Sequence, residues 1–198
     1  MGFKVAVVGA TGNVGREILT TLAERQFPAD EVVALASSAS VGREVSFGED
    51  DVLRVQALDS FDFRGTDIVL SSPGSKVSAA FAPRAAKAGA VVIDNTSCFR
   101  MEPDVPLIVP EVNSEAIAGY QKRGIIANPN CSTIQMVVAL KPLQDQFGIE
   151  LVNVSTYQSV SGTGQKGISE LASQLEARFK FQEVTPKVYA QEIAFNLL

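Results

Sequence analysis

The chain has 198 residues, 46% of them hydrophobic and 20% charged, enough apolar material for one large folded domain or two small ones. A formal charge of -5 without clustered Lys or Arg excludes a surface built to track nucleic-acid phosphates, and the N-terminal apolar run is too short for a signal segment or a membrane span. Two cysteines, Cys98 and Cys131, without CxxC spacing and without any histidine in the chain, give neither a zinc pattern nor a disulfide framework. The expectation is therefore a cytoplasmic protein with small-molecule partners, no metal, no nucleic acid and no membrane.

Short apolar runs alternate with amphipathic segments along the chain. KVAVVG (4–9) reads as a buried strand ending in glycine, and NVGREILTTLAERQF (13–27) as a helix with Val14, Ile18, Leu19, Leu22 and Ala23 on one face. EVVALAS (31–37), DIVLSS (67–72), AVVIDNT (90–96) and GIIANP (124–129) repeat the strand pattern. VSAAFAPRAAKAG (77–89) predicts a helix with an internal proline, and SEAIAGYQKRG (114–124) a helix with an N-cap serine and a terminal glycine. STIQMVVALKPLQDQFG (132–148) predicts a proline-kinked helix, and IELVNVSTYQSVSG (149–162) a longer strand with one less buried face. Strands alternating with helices imply an α/β fold with a doubly wound parallel sheet, and the change in character near residue 130 places the start of a second, α+β domain there.

GATGNVG at 9–15 sits between the first strand and the first helix. Glycines at 9, 12 and 15 allow a tight turn and close backbone approach, so that the helix N-terminal amides can face a pyrophosphate, as in a Rossmann dinucleotide site. A ligand-free glycine turn is the plainer reading of the same residues. About 20 residues further on, an NAD site carries an acid for the ribose. This chain has ALASSASVGR instead, with Ser37, Ser38, Ser40 and the nearby cation Arg43, which favours the 2′-phosphate of NADP over NAD, or else forms a solvated turn.

NPNCSTIQ (128–135) delivers Cys131 to the start of a helix at the end of a parallel strand. A helix N-terminus favours a thiolate, and ligands in such sheets collect at the carboxyl ends of strands, so a thiolate there beside a nicotinamide points to aldehyde oxidation through a thioester, or its reverse. On local evidence alone, a small buried filler is the plainer reading of Cys131. Cys98, in DNTSCFRM, lacks a comparable helix start and reads as structural. Arg100 offers a planar fork for a phosphate, or a structural partner for Glu102 or Asp104. Gln158 reads locally as a strand amide, and SGTGQKG (161–167) as either an anion-binding backbone loop or a flexible turn.

GATGNVG, SPGSKVSAAFAPRAAKAGAVVIDNTSCFRMEPDVPLIVPEVN (72–113), NPNCSTIQ and TYQSVSGTGQKG (156–167) together resemble the aspartate-semialdehyde dehydrogenase family. The resemblance implies NADP-dependent interconversion of L-aspartate 4-semialdehyde plus phosphate with L-4-aspartyl phosphate, on the route to lysine (by way of diaminopimelate), threonine and methionine. It implies an NADP-binding Rossmann domain over 1–130 and the first part of a catalytic and dimerisation domain over 131–198. By the same match Cys131 corresponds to the acyl-thioester nucleophile, Gln158 to the glutamine that orients substrate, Arg100 to the arginine that holds phosphate, and Asn130 to a residue flanking the nucleophile. Gly9, Thr11, Gly12, Asn13 and Val14 correspond to the pyrophosphate loop, Ser37, Ala39 and Ser40 to the 2′-phosphate segment, and Ser161 and Gly162 to a stretch beside the nicotinamide.

Two departures stand out. Many relatives carry Ala-Ser-x-Arg-Ser where this chain has Ala39 in place of the arginine. The family also continues with a substrate-binding arginine, a phosphate-binding lysine and a catalytic histidine, so these residues read as the N-terminal part of a longer homodimeric enzyme that would bind cofactor better than it turns over. The related N-acetyl-glutamyl-phosphate reductases show Gly-Cys-Tyr-Pro-Thr around the nucleophile, unlike Asn130-Cys131-Ser132. A non-catalytic NADP-binding sensor would need GATGNVG but has no need of NPNCST or Gln158.

Overall fold

Strands that are apolar at every position need cover on both faces, and the first strand gets it. Val5 and Val7 of β1 (Phe3–Val8) pack with Leu19 and Leu22 of α1 (Asn13–Glu24), whereas Ala6 and Val8 belong to the opposite cluster with Phe81, Ala82 and Ala85 of α2 (Ser75–Lys87). The computed structural model describes residues 2–49 and 51–197. Within them the chain divides into two compact units, Met1–Val152 and Asn153–Leu198.

The first unit is built on a six-stranded, wholly parallel sheet. Its strands are β1, β2 (Ala29–Ala36), β5 (Gln56–Ala57), β6 (Ile68–Ser71), β7 (Val91–Asp94) and β8 (Ile125–Ala127), in the order β5-β2-β1-β6-β7-β8. The chain works outward from β1 to β5 and then returns to the other side at β6. This is the doubly wound Rossmann order, with its switch point between β1 and β6. The register is flush: Val8 pairs with Leu35 and Ser71, Ser71 with Asp94, and Asp94 with Ala127.

Several elements differ from the sequence reading. An antiparallel hairpin, β3 (Glu44–Phe47) with β4 (Asp51–Arg54), was not expected. Its few inward residues, Val45, Phe47 and Leu53, join the α1 face of the core, too sparse a signal among charged neighbours. Val14 is exposed rather than on the apolar face of α1, and Gly15 is buried instead. The helix expected over 114–124 is a short α3 (Pro110–Asn113) followed by a 3-10 segment over Ser114–Lys122. Asn113 rather than Ser114 organises it, accepting the Val109 amide at 2.9 Å and donating to the Leu107 carbonyl at 3.0 Å.

Helix α4 (Cys131–Phe147) runs through Pro142 and buries none of its residues. It contacts α3 and belongs to the first compact unit, which runs to Val152. The strand expected over 149–162 is absent: residues 149–159 carry no regular structure and only a single 3-10 turn forms at Val160–Thr163. Leu151, Val152 and Val154 are exposed there, since a strand needs a neighbour and none pairs with this stretch among the described residues.

The second unit centres on α5 (Gln165–Phe179). Its buried polar residues, Glu170 and Gln174, fasten the following segment through its backbone. Glu170 accepts the amides of Lys187 at 3.1 Å, Val188 at 2.6 Å and Tyr189 at 3.4 Å, and Gln174 accepts those of Ile193 and Ala194 at 2.9 and 3.0 Å. Gln174 also donates to Glu170 at 3.0 Å, so the two side chains act as one acceptor row. Burial pushes the Glu170 carboxyl up, but the three amides and the Lys187 charge outweigh it and hold it below the usual glutamate range. The folded carboxyl therefore ionises at lower pH than the unfolded one. Its contribution is complete above the usual glutamate range and is lost as the pH falls through the depressed folded value. Protection factors of the 187–189 amides against hydrogen exchange should collapse across that acid window, and in Glu170→Gln they should already be low at neutral pH. Protection that persists through the window would mean that other contacts hold the segment.

Candidate active site

Because β1, β6, β7 and β8 end on one line, the loops that follow them, residues 9–12, 72–74, 95–100 and 128–130, open on the same edge of the sheet. That edge is where doubly wound sheets bind their ligands.

The first loop is shaped by backbone contact. Gly9 has φ +84°, a conformation that favours glycine, and its amide and that of Ala10 both donate to the Leu35 carbonyl, at 2.9 and 3.1 Å. A Cβ on Gly15 would stand 2.1 Å from the Gly9 carbonyl oxygen, and one on Gly9 would stand 2.9 Å from that of Ser72. Only glycine lets α1 start this close to the turn. Gly12 is the N-cap, no side chain caps the helix and no acid stands in its first turn. The amides of Asn13, Val14 and Gly15 have no acceptor among the described residues. Thr11 is half-buried, and Asn13 and Val14 lie exposed around those amides. A narrow backbone cradle with free N–H groups and a positive helix end fits a dinucleotide pyrophosphate.

At the end of β2, Ser37 begins a single 3-10 turn, Ser38–Ser40, that leaves Ser37, Ser38 and Ala39 exposed and Ser40 half-buried. Arg43 is exposed nearby and makes no salt bridge among the described residues. The fold adds a residue that sequence spacing does not reveal: Asp59, after β5, accepts from the Ser38 hydroxyl at 3.4 Å.

Cys131 is the first residue of α4 and is exposed. Asn130 caps the helix: its Oδ1 accepts the Ser132 amide at 3.1 Å and the Ser132 hydroxyl at 2.6 Å, and lies 3.8 Å from the Cys131 sulfur. Arg100 stands beside this loop. Its Nε donates to the carbonyl of Asn128 at 2.8 Å and its Nη2 to that of Asn95 at 3.1 Å, so the guanidinium bridges the loops that follow β8 and β7. It pairs with no carboxylate among the described residues. The acids once available to it, Glu102 and Asp104, instead face Arg123 at 3.3 and 3.1 Å, with the Arg123 guanidinium stacked over Phe99 at 5.4 Å. Arg100 is thus half-buried, rigidly anchored through carbonyl dipoles, and left with Nη1 and an uncompensated charge.

Cys98 differs from Cys131 in exposure. It is half-buried, and its amide donates to Thr96 Oγ1 at 3.2 Å. Burial, followed by the negative charges of Asp94 and Glu102, pushes its thiol up, against a smaller opposing effect of Arg123. Gln158, Ser161 and Gly162 belong to the second unit. Gln158 is exposed, donates to the Thr156 hydroxyl at 3.3 Å, and lines a cavity of about 430 Å³ with Tyr157, Val160, Leu171 and Ile193. Ser161 and Gly162 are exposed in the 3-10 turn capped by Ser159, whose Oγ accepts the Ser161 amide at 3.3 Å.

A limiting alkylating reagent at neutral pH should therefore label Cys131 before Cys98, by on the order of tenfold or more in rate, because the thiolate is the reactive form and access is needed to reach it. Peptide mapping reads the ratio, and preferential labelling of Cys98 would reverse the assignment.

Comparison with known proteins points to a family. The family model described as semialdehyde dehydrogenase, NAD binding domain, matches residues 4–120, and the one described as semialdehyde dehydrogenase, dimerisation domain, matches residues 140–198. The chain is 56% identical to an aspartate-semialdehyde dehydrogenase of Legionella pneumophila over 98% of this chain and 56% of that protein. A crystal structure of aspartate semialdehyde dehydrogenase II of Vibrio cholerae, complexed with ASA, superposes with a TM-score of 0.95 at 52% identity, over 99% of this chain and 58% of that one. The Candida albicans enzyme, crystallised with NADP, gives 0.62 at 31% identity over 75% and 48%. The chain thus spans about half the length of these relatives. The Rossmann sheet, the glycine cradle and the family match over most of its length place it: the chain belongs to the semialdehyde dehydrogenase family.

Proposed function

We propose that the chain supplies the NADP-binding domain, residues 1–130, and the first part of the catalytic and dimerisation domain, residues 131–198, of a homodimeric cytoplasmic aspartate-semialdehyde dehydrogenase. The reaction is the interconversion of L-aspartate 4-semialdehyde plus phosphate with L-4-aspartyl phosphate, leading to lysine, threonine and methionine. One observation carries the reading: an arginine without a countercharge is anchored to the carbonyl of Asn128, in the loop that delivers an exposed cysteine to a helix N-terminus.

In this reading the amides of Asn13, Val14 and Gly15, with Gly9, Thr11 and Gly12 shaping the turn, hold the pyrophosphate, and Ser37, Ala39 and Ser40 lie at the 2′-phosphate. Ser161 and Gly162 flank the nicotinamide. The bound nicotinamide supplies the hydride acceptor for aldehyde oxidation. The Cys131 sulfur adds to the aldehyde carbon, and the oxidised acyl group remains on it as a thioester. Arg100 holds a phosphate oxyanion through its free Nη1 and Nη2 hydrogens, bringing it to the acyl carbon. Phosphate oxygen then bonds to that carbon as the carbon–sulfur bond breaks, and the thiolate leaves toward the positive end of α4. Gln158 orients the substrate, and Asn130 keeps the first turn of α4 in place.

Two measurements test this on the full-length protein. Arg100→Lys keeps the charge but cannot span both carbonyls, so the KM for phosphate should rise about 10- to 100-fold, the worth of a charge-assisted hydrogen bond, with NADP affinity unchanged. Lost NADP affinity with phosphate use intact would refute the role. For the cofactor, fluorescence titration should show NADP binding tighter than NAD by about two- to fivefold, the worth of one exposed charge interaction. Asp59→Asn should widen that preference by removing a negative charge beside Ser38. Equal affinities, or a preference for NAD, would overturn the NADP assignment.

A further inference from the structure

A fully buried acid of the first unit is not used by the mechanism above. Asp94 ends β7 with none of its surface exposed, and it makes no salt bridge among the described residues. Burying a carboxylate without a cation is costly unless hydrogen bonds replace the lost water. They do: Asp94 Oδ1 accepts from Ser78 Oγ at 2.7 Å, Ser71 Oγ at 3.1 Å and the Thr96 amide at 3.2 Å, and Oδ2 accepts from Thr96 Oγ1 at 2.8 Å. Ser71 and Ser78 also lie 3.1 Å apart, but each has a single hydrogen and the carboxylate is the stronger acceptor. Ser71, Ser78 and Thr96 are themselves buried.

The cluster ties four pieces of chain together. Ser71 ends β6 in register with Asp94, Ser78 lies in the first turn of α2, and Thr96 lies in the loop after β7. Thr96 passes the constraint on, since its Oγ1 also accepts the Cys98 amide at 3.2 Å. Two consecutive side-chain turns, Asp94 to Thr96 and Thr96 to Cys98, thereby fold residues 94–98 and deliver Phe99 into the core. Arg100 is the next residue, and a second bond, between the hydroxyls of Ser75 and Ser97 at 2.9 Å, holds the same loop against the start of α2.

We infer that Asp94 and Thr96 are positioning residues for Arg100: their buried network sets the path of the 95–100 loop so that the guanidinium can span the carbonyls of Asn95 and Asn128 and present its free edge at the loop that leads into Cys131. The inference rests on the proposed phosphate-binding role of Arg100. Sheet packing alone does not require this arrangement, because an apolar residue at 94 would fill the same space without needing three hydroxyls to satisfy it.

The test changes Thr96 rather than Asp94, since removing a carboxylate that three buried hydroxyls face would challenge folding before function. In the full-length protein, Thr96→Val keeps the shape but deletes both bonds of the hydroxyl, and Thr96→Ser keeps them. Thr96→Val should raise the KM for phosphate about tenfold while leaving kcat at saturating phosphate and NADP affinity within about twofold, and Thr96→Ser should stay within about twofold of the parent throughout. A lower melting temperature with the phosphate KM unmoved, or equal damage from both substitutions, would overturn the inference. Hydrogen exchange at the Arg100 Nε–H, assigned by the signal that Arg100→Lys removes, provides a reading independent of phosphate use. It should quicken by about tenfold or more in Thr96→Val and not in Thr96→Ser. If Arg100→Lys leaves phosphate use untouched, the phosphate role fails, and this exchange rate alone decides: unchanged exchange in Thr96→Val sinks the positioning role as well.

Discussion

The arrangement rests on a single constraint, the flush parallel register in which Val8, Ser71, Asp94 and Ala127 stand side by side at the ends of four neighbouring strands. Parallel strands with evenly spaced bonds have no way to stagger their ends without leaving backbone groups unpaired, and here they do not stagger. Each strand is short and each is followed at once by a turn. The glycine cradle, the start of α2, the Arg100 loop and the Cys131 loop are therefore neighbours whatever their separation in sequence. Asp94 contributes directly, because its main chain belongs to the ladder while its side chain folds the loop beyond it.

A second economy concerns charge. Three arginines of the first unit have distinct attachments: Arg123 satisfies two acids and stacks on Phe99, Arg84 is tied to the carbonyls of Leu58 and Asp59 and stacks on Phe63 at 5.5 Å, and Arg100 is held by carbonyls of two loops. A carbonyl orients a guanidinium without neutralising it. Arg100 is consequently fixed in place while its attraction for an anion is undiminished, which is the preorganisation that a phosphate site needs.

Much of this could be read in the sequence because the signals are local. Continuous apolar runs marked five of the six sheet strands, GATGNVG marked the cradle, and Pro129-Asn130 before a helical pattern marked the place of Cys131. What escaped depends on partners distant in the chain. The β3–β4 hairpin carries its apolar residues among charges that only the α1 face explains. The stretch 149–159 is β-branched enough to read as a strand, but a strand exists only where another pairs with it. Asp94 lies in a run legible only as a strand, and the fold alone closes Ser71, Ser78 and Thr96 around it and brings Asp59 to Ser38. The resemblance of the quoted motifs named the residues to look for, but their geometry came from tertiary packing.

The Asn130 cap carries one more implication. Asparagine and aspartate are nearly equivalent as helix caps, each offering an oxygen to the amides of the first turn. They are not equivalent beside a thiol. An aspartate here would set a formal negative charge about 3.8 Å from the Cys131 sulfur and would repel a second anion forming there. The neutral amide saturates the same amide and hydroxyl donors and leaves the helix end electropositive. At this position, then, a choice between two residues of equal worth to the helix becomes a choice about which charges can coexist at its tip.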